Sequence, residues 1–217
     1  IKSTNRSLLR YLPREVVRHL KRNTAAAPIE RQWMTVVFVD LVGFAGAARA
    51  MPAESLYRVV NDFFASADAH ARAWGGSVSK FVGDGVLIAF ASEVLAGRAN
   101  MARQCRRCID SLDGRLDALR ASWKADGIDC PLTVTSGIAS GYCAVGEWGG
   151  GERRDFTVIG TPVNLAARLQ VHAEPGGALM DATTASLLGE TRNGRRIELK
   201  GFGPTLVFAF AGRTFAS

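Results

Sequence analysis

Two carboxylates stand where apolar, strand-like runs end or break: Asp40 in VVFVDLVGF and Asp84 in SKFVGDGVLIAF, 44 positions apart. An aspartate beside a core is costly unless something cationic compensates it. No His or Cys cluster accompanies the pair, so its donors are hard oxygens, suited to Mg²⁺ or Mn²⁺. Glycines flank both sites, and glycine lets a phosphate chain come close to the backbone. Residue types and spacing together point to two-metal chemistry on a nucleotide. Any phosphoryl-transfer enzyme would satisfy that description.

The elements that must position these residues follow from hydrophobic period and turn chemistry. Thr35–Asp40 is a buried-type strand. From Ala53 to Trp74 the apolar residues Leu56, Val59, Val60, Phe63, Phe64, Ala67 and Trp74 trace one helical face, and Gly75-Gly76 stops it. Ser77–Val82 and Val86–Ala91 form a hairpin that turns at Gly83-Asp84-Gly85. A second long helix spans about 93–125, with Leu95, Ala99, Ala102, Cys105, Ile109, Leu112, Leu116 and Leu119 inward. Leu132–Ile138 and Tyr142–Val145 are expected as two strands separated by a small-residue turn. GEWGGGERRD is expected to be a projecting loop or flexible arm, followed by a short strand at Phe156–Ile159. A helix then begins at Gly160-Thr161-Pro162, with Thr161 as its cap and Pro162 in its first position. The remainder reads as a strand (Ala178–Asp181), a short helix (Thr183–Leu188) and two strands (Arg196–Lys200, Leu206–Ala211). The order predicts an α+β fold: a ferredoxin-like βαββαβ core with a C-terminal α/β extension.

Bulk properties set the outer bounds. The chain has 217 residues, 47% hydrophobic and 22% charged, ordinary values for a soluble globular domain. No apolar run approaches the roughly 18–20 residues of a membrane helix, and no signal peptide is visible, so a cytoplasmic location and no membrane insertion within this chain are expected. The chain starts at Ile1 rather than Met, which suggests a piece of a longer protein and leaves membrane attachment of its parent open. The net charge of +7 is spread along the sequence, without a basic recognition helix or basic–aromatic interleaving. That disfavours nucleic acid and suits a small polyanionic substrate. Cys105 and Cys108 form a C-x-x-C with no second pair at zinc spacing; reduced, buried cysteines are the expectation, against a metal or redox role. Residues 1–30 are expected to be a lead-in: a short helix from Pro13 with Val16, Val17 and Leu20 on one side, then a linker. Residues 213–217 form a tail.

Taken in order, VVFVDLVGF, SKFVGDGVLIAF, TSGIASGYCAVGEWG, RRDFTVIGTPVNLAARL and IELKGFG resemble the class III nucleotidyl (adenylate/guanylate) cyclase catalytic domain of the bacterial type, over residues 31–212. The resemblance implies that Asp40 and Asp84, with the Leu41 carbonyl, bind two divalent ions, Mg²⁺ or Mn²⁺. Backbone N–H groups near Gly43 and Phe44 would cradle phosphate oxygens. Asn164 and Arg168, four apart on one helical face, would orient the ribose and neutralise charge on the α-phosphate. Lys80 would donate to adenine N1, an acceptor; guanine N1 is a donor and would be matched by a protein carboxylate instead. Thr157 would be the second base-reading residue, with a hydroxyl that both donates and accepts. Lys200 would contact the terminal phosphates. The implied substrate is ATP, with GTP, or a catalytically inactive nucleotide-binding dimerisation module, as alternatives. In this family the metal aspartates and the Asn/Arg helix meet across a subunit interface, so a homodimer is implied, together with an upstream sensor or regulatory domain. Two departures stand out: Thr161 replaces an Asp that many members carry, and Thr135 stands where some members place a phosphate-binding Arg. Arg153 and Arg154 on the arm are candidate substitutes, set against the favoured reading of a solvated arm.

Overall fold

A computed structural model describes residues 29–92, 97–150 and 153–210. The lead-in helix, its linker, Leu95 and the tail fall outside these. Eight strands make one mixed sheet in the order β2-β3-β1-β4-β6-β8-β7, and β5 pairs with β4 alone. The strands are β1 (Glu30–Val42), β2 (Ser77–Val82), β3 (Gly85–Ser92), β4 (Thr133–Gly150), β5 (Arg153–Ile159), β6 (Ala178–Asp181), β7 (Arg195–Leu199) and β8 (Gly203–Ala209). Among the described residues five helices accompany them: α1 (Phe44–Ala50), α2 (Ala53–Ala73), α3 (Arg98–Ala125), α4 (Thr161–Val171) and α5 (Ala182–Leu188). The βαββαβ core and its α/β extension are present as expected. β1 lies antiparallel between β3 and β4, and β4 runs parallel to β6 across the α4 crossover.

β1 shows why its sequence is almost continuously apolar. Side chains alternate across a strand. Val37, Val39 and Leu41 enter the core under α2 and α3, which also buries Phe63, Ile109, Leu112 and Trp123. Met34, Val36 and Phe38 point the other way, to a second cluster with Ala166 of α4. Both faces are covered, so both alternate sets must be apolar. Asp40 falls in the second set, and its side chain therefore emerges on the α4 face. In α2 the buried residues Val59, Phe63, Ser66, Ala67 and Ala71 keep helical spacing. Trp123 of α3 is fully buried and donates from Nε1 to Asp62 at 2.9 Å, which ties the two helices together.

Four expectations need correction. Leu132–Ile138 and Tyr142–Val145 are not two strands: β4 runs unbroken from Thr133 to Gly150 and pairs with β1 from Val42↔Thr133 to Glu30↔Val145. Its glycines serve packing rather than a turn. A Cβ on Gly137 would meet Ala166 O at 2.0 Å and Gln170 N at 2.3 Å, and one on Gly141 would meet Pro162 Cγ at 2.9 Å. Those two absent side chains let the α4 backbone rest on β4. The expected loop is largely a ribbon, with Ala144–Gly150 pairing Ile159–Arg153. Thr161 is not the cap of α4: Gly160 occupies that position, Thr161 is the first helical residue, and no side chain caps the end. Finally, α1, seven residues long, was not anticipated; Gly43 (φ 80) turns the chain into it directly after β1.

Candidate active site

Asp40 sits near the end of β1, half-buried between the fully enclosed Val39 and Leu41. The neighbouring strand begins at Gly85, where a Cβ would meet Asp40 Oδ1 and Phe38 Cε1, both at 2.9 Å. Glycine at that position is thus what leaves room for the carboxylate. Asp84 precedes it in the hairpin turn, after Gly83 (φ 63). Burial, and then the charge of Asp84, push the Asp40 carboxyl above the usual carboxylate range; the Leu41 N–H and Gln170 pull it back. Nothing cationic among the described residues acts on it. Two repelling carboxylates at the rim of a core fit a hard divalent ion. Among the described residues no three His, Cys, Asp or Glu side chains group together. The protein would therefore give two carboxylates and the Leu41 carbonyl, and phosphate or water oxygens would complete such a site. Gly43 and Phe44 follow at the same end of the sheet.

The other expected residues lie elsewhere. Asn164 and Arg168 are exposed on the outer face of α4, whose inner face buries Ala166, Leu169 and Gln170. Lys80 is exposed on β2, and its ammonium stands 2.6 Å from Asp155 Oδ2 on β5. The β4–β5 ribbon thus folds back until β5 meets β2. Thr157, two residues after Asp155, shares its face of β5 and is half-buried. Lys200 is exposed in the β7–β8 turn. Strand directions put that turn at the end of the sheet opposite Asp40, on its far edge. One chain thus gathers Asp40, Leu41, Gly43, Phe44 and Asp84, associates Lys80 with the Thr157 strand, and keeps Arg168 and Lys200 apart from the carboxylates.

Two polar residues join this picture that sequence reasoning passed over. Asp155 was legible only as an i−2 neighbour of Thr157 on a strand. Gln170 is buried on α4 and donates from Nε2 to Thr135 Oγ1 at 2.6 Å and to Asp40 Oδ2 at 3.3 Å. Its one signal was a polar side chain in the stripe that otherwise reads Pro162, Ala166, Leu169.

A model of the adenylate and guanylate cyclase catalytic domain matches residues 28–212. The chain belongs to that family. This cyclase domain is 33% identical to the adenylyl cyclase CyaB from P. aeruginosa, with a TM-score of 0.77 over 84% of this chain and 95% of that one. The guanylyl cyclase Cya2 superposes with a TM-score of 0.75 at 24% identity, covering 85% of this chain and 93% of that one. A bacterial light-regulated adenylyl cyclase gives 0.80 at 21% identity, over 95% of this chain and 60% of that one. The last two likenesses speak for the fold. The uncharacterized protein Rv1318c from Mycobacterium tuberculosis is 31% identical over 201 residues, 88% of this chain and 35% of its own length. The cyclase domain thus spans about a third of the curated relatives it matches. No helix among its described residues is long and apolar enough to cross a membrane.

Proposed function

We propose that this cyclase domain is an adenylate cyclase, which converts ATP to 3′,5′-cyclic AMP and pyrophosphate at composite sites of a homodimer. Lys80 carries the choice of base. An ammonium has three donors and no acceptor, so it suits adenine N1, an acceptor, and not the N1–H of guanine. The Thr157 hydroxyl accepts from the adenine amino group. The 33% identity to CyaB supports the same choice.

In the reaction the ribose 3′-oxygen forms a bond to the α-phosphorus while the bond to the pyrophosphate oxygen breaks, and the hydroxyl proton is released. Two divalent ions, Mg²⁺ or Mn²⁺, held by Asp40, Asp84 and the Leu41 carbonyl, would lower the pKa of that hydroxyl and neutralise the leaving group. Backbone N–H groups at Gly43 and Phe44 donate to phosphate oxygens. Arg168 stays charged and offers planar donors to the α-phosphate where charge develops. Asn164 orients the ribose, and Lys200 holds the terminal phosphates. The separation of Arg168 and Lys200 from the carboxylates supports a two-fold pair, in which each copy completes the other's site.

One observation favours GTP as a second reading. Asp155 places a carboxylate beside Lys80, and a carboxylate accepts from guanine N1–H. Initial rates with ATP and GTP in Mn²⁺ separate the two: faster turnover of ATP is expected, and faster turnover of GTP overturns the assignment. Nucleotide binding without turnover in any divalent metal would instead indicate an inactive module.

A further inference from the structure

Gln170 has no part in the two-metal scheme, yet it is among the few buried polar residues of the described chain, 8% exposed. It bridges two strands beneath α4. Thr135 on β4 and Asp40 on β1 are register partners, and Nε2 donates to Thr135 Oγ1 at 2.6 Å and to Asp40 Oδ2 at 3.3 Å. Chemistry sets the orientation of the amide: an ionised carboxylate only accepts, so the NH₂ end must face it. The backbone fixes the seat. Gln170 N rests 2.3 Å from where a Cβ of Gly137 would stand, two residues along β4 from Thr135. Asp40 is thus confined from two sides, with Oδ1 against Gly85 and Oδ2 against Gln170. The torsion that carries a carboxylate's oxygens is broad and soft, so such contacts decide where its lone pairs point.

We propose that Gln170 is a positioning residue for Asp40, and that α4 thereby serves both composite sites, holding the carboxylate of its own subunit while presenting Asn164 and Arg168 to the partner's. This inference rests on the composite-site reading above. Arg168 and Gln170 are two residues apart on one helix, so a tilt of α4 that displaces the arginine in one site also displaces the support of the carboxylate in the other. The two sites are tied together mechanically through each subunit's α4.

Gln170→Met tests this, because it keeps the length and apolar stem of the side chain and removes both donors. Thr135→Val removes the anchoring hydroxyl without touching the helix. Mn²⁺ binding is measured by electron paramagnetic resonance on the full chain with 3′-deoxy-ATP, which cannot cyclise. Outer partners of metal ligands typically affect affinity 10–100-fold. Gln170→Met is expected to raise the Mn²⁺ dissociation constant about 10-fold at temperatures where the variant is folded, and Thr135→Val to raise it less. Mixed dimers then locate the effect. A chain with Asp40→Ala and a chain with Arg168→Ala form one intact site, whose Asp40 comes from the Arg168→Ala chain. Gln170→Met in that chain should raise the Mn²⁺ requirement of the recovered activity severalfold more than the same change in the Asp40→Ala chain.

Unchanged Mn²⁺ affinity in both variants overturns the positioning role, as does an effect that is equal in either chain. If the mixed dimers form but recover no activity, the composite site fails, and the shared-helix part of the proposal fails with it. The resonance measurement still decides the link from Gln170 to Asp40.

Discussion

Lys80 and Asp155 meet at 2.6 Å, with both side chains about half exposed. An exposed pair of this kind is worth only about 0.2–1 kcal/mol, so an entering base can take the ammonium from the aspartate. The contact therefore holds Lys80 near the Thr157 strand without locking it. Replacing the donor with an acceptor should reverse the preference. A hydrogen bond to a charged group contributes about 1.5–3 kcal/mol, so Lys80→Glu with Thr157→Cys is expected to shift the ATP:GTP rate ratio towards GTP by roughly 10-fold or more. An unchanged ratio would remove Lys80 from base recognition. The cysteines sit at the opposite chemical extreme. All four are free and buried. Burial pushes the Cys108 thiol up to about 12 and that of Cys143 to about 11, and it raises Cys105 well above the ordinary range. The thiolate is the reactive form, and raising the pKa depletes it at every pH below the shifted value. Cys105 and Cys108 should therefore resist alkylation at pH 8 in the folded chain and label fully in denaturant, as read by mass spectrometry. Rapid labelling of the folded chain would return the C-x-x-C to consideration as a redox pair.

At the scale of elements, α4 and β4 determine the site, and their contact is backbone on backbone. Gly137 and Gly141 lie four residues apart on one face of β4, and neither has a positive φ. Their function is absence of a side chain, not freedom to turn. That distinction was invisible in SGIASGYCAV, where small residues suit a turn and a packing seat equally well. The prediction belongs to the pair of elements. Gly137→Ala drives a methyl into Ala166 O and Gln170 N, which cannot rotate away as a side-chain tip would. Overpacking of this kind costs about 1–3 kcal/mol, or a melting temperature lower by roughly 2–12 °C at this chain length. Cyclase activity should fall further than the lost stability explains at temperatures where the variant is folded, because α4 carries Asn164 and Arg168. An unchanged melting temperature would mean that α4 does not bear on Gly137 as described.

Across the whole molecule, the division of the proposed site residues is the main feature. Asp40 and Asp84 lie at one end of the sheet, Lys200 at the other, and Arg168 faces away from the carboxylates. Phe81 and Val82, beside the Asp84 hairpin, are each 46% exposed. If two copies make each site, specific activity must depend on concentration. It should fall on dilution through the dimer dissociation constant and become proportional to chain concentration below it. Steady-state rates alongside size measurement check this; constant specific activity of a monomeric chain would end the two-copy model. The net charge of +7 adds long-range attraction for a triphosphate, an effect that salt weakens.

By itself the sequence determined the family, because each signature block is contiguous and keeps its meaning without the fold. It also determined the sheet core: strands covered on both faces need unbroken apolar runs, and β1 and β3 have them. Most helix limits were readable for the same local reason. Tertiary structure decided what depends on distance in space rather than along the chain. Gln170 meets Asp40 across 130 positions and Lys80 meets Asp155 across 75, and no local pattern encodes either contact. Gly141, expected in a turn, and Gly137, expected inside a strand, proved to be the floor under α4, because close packing of backbones leaves no mark in periodicity. The outward face of Arg168 followed only once α4 was seated on β4, and that orientation supports the proposed second copy.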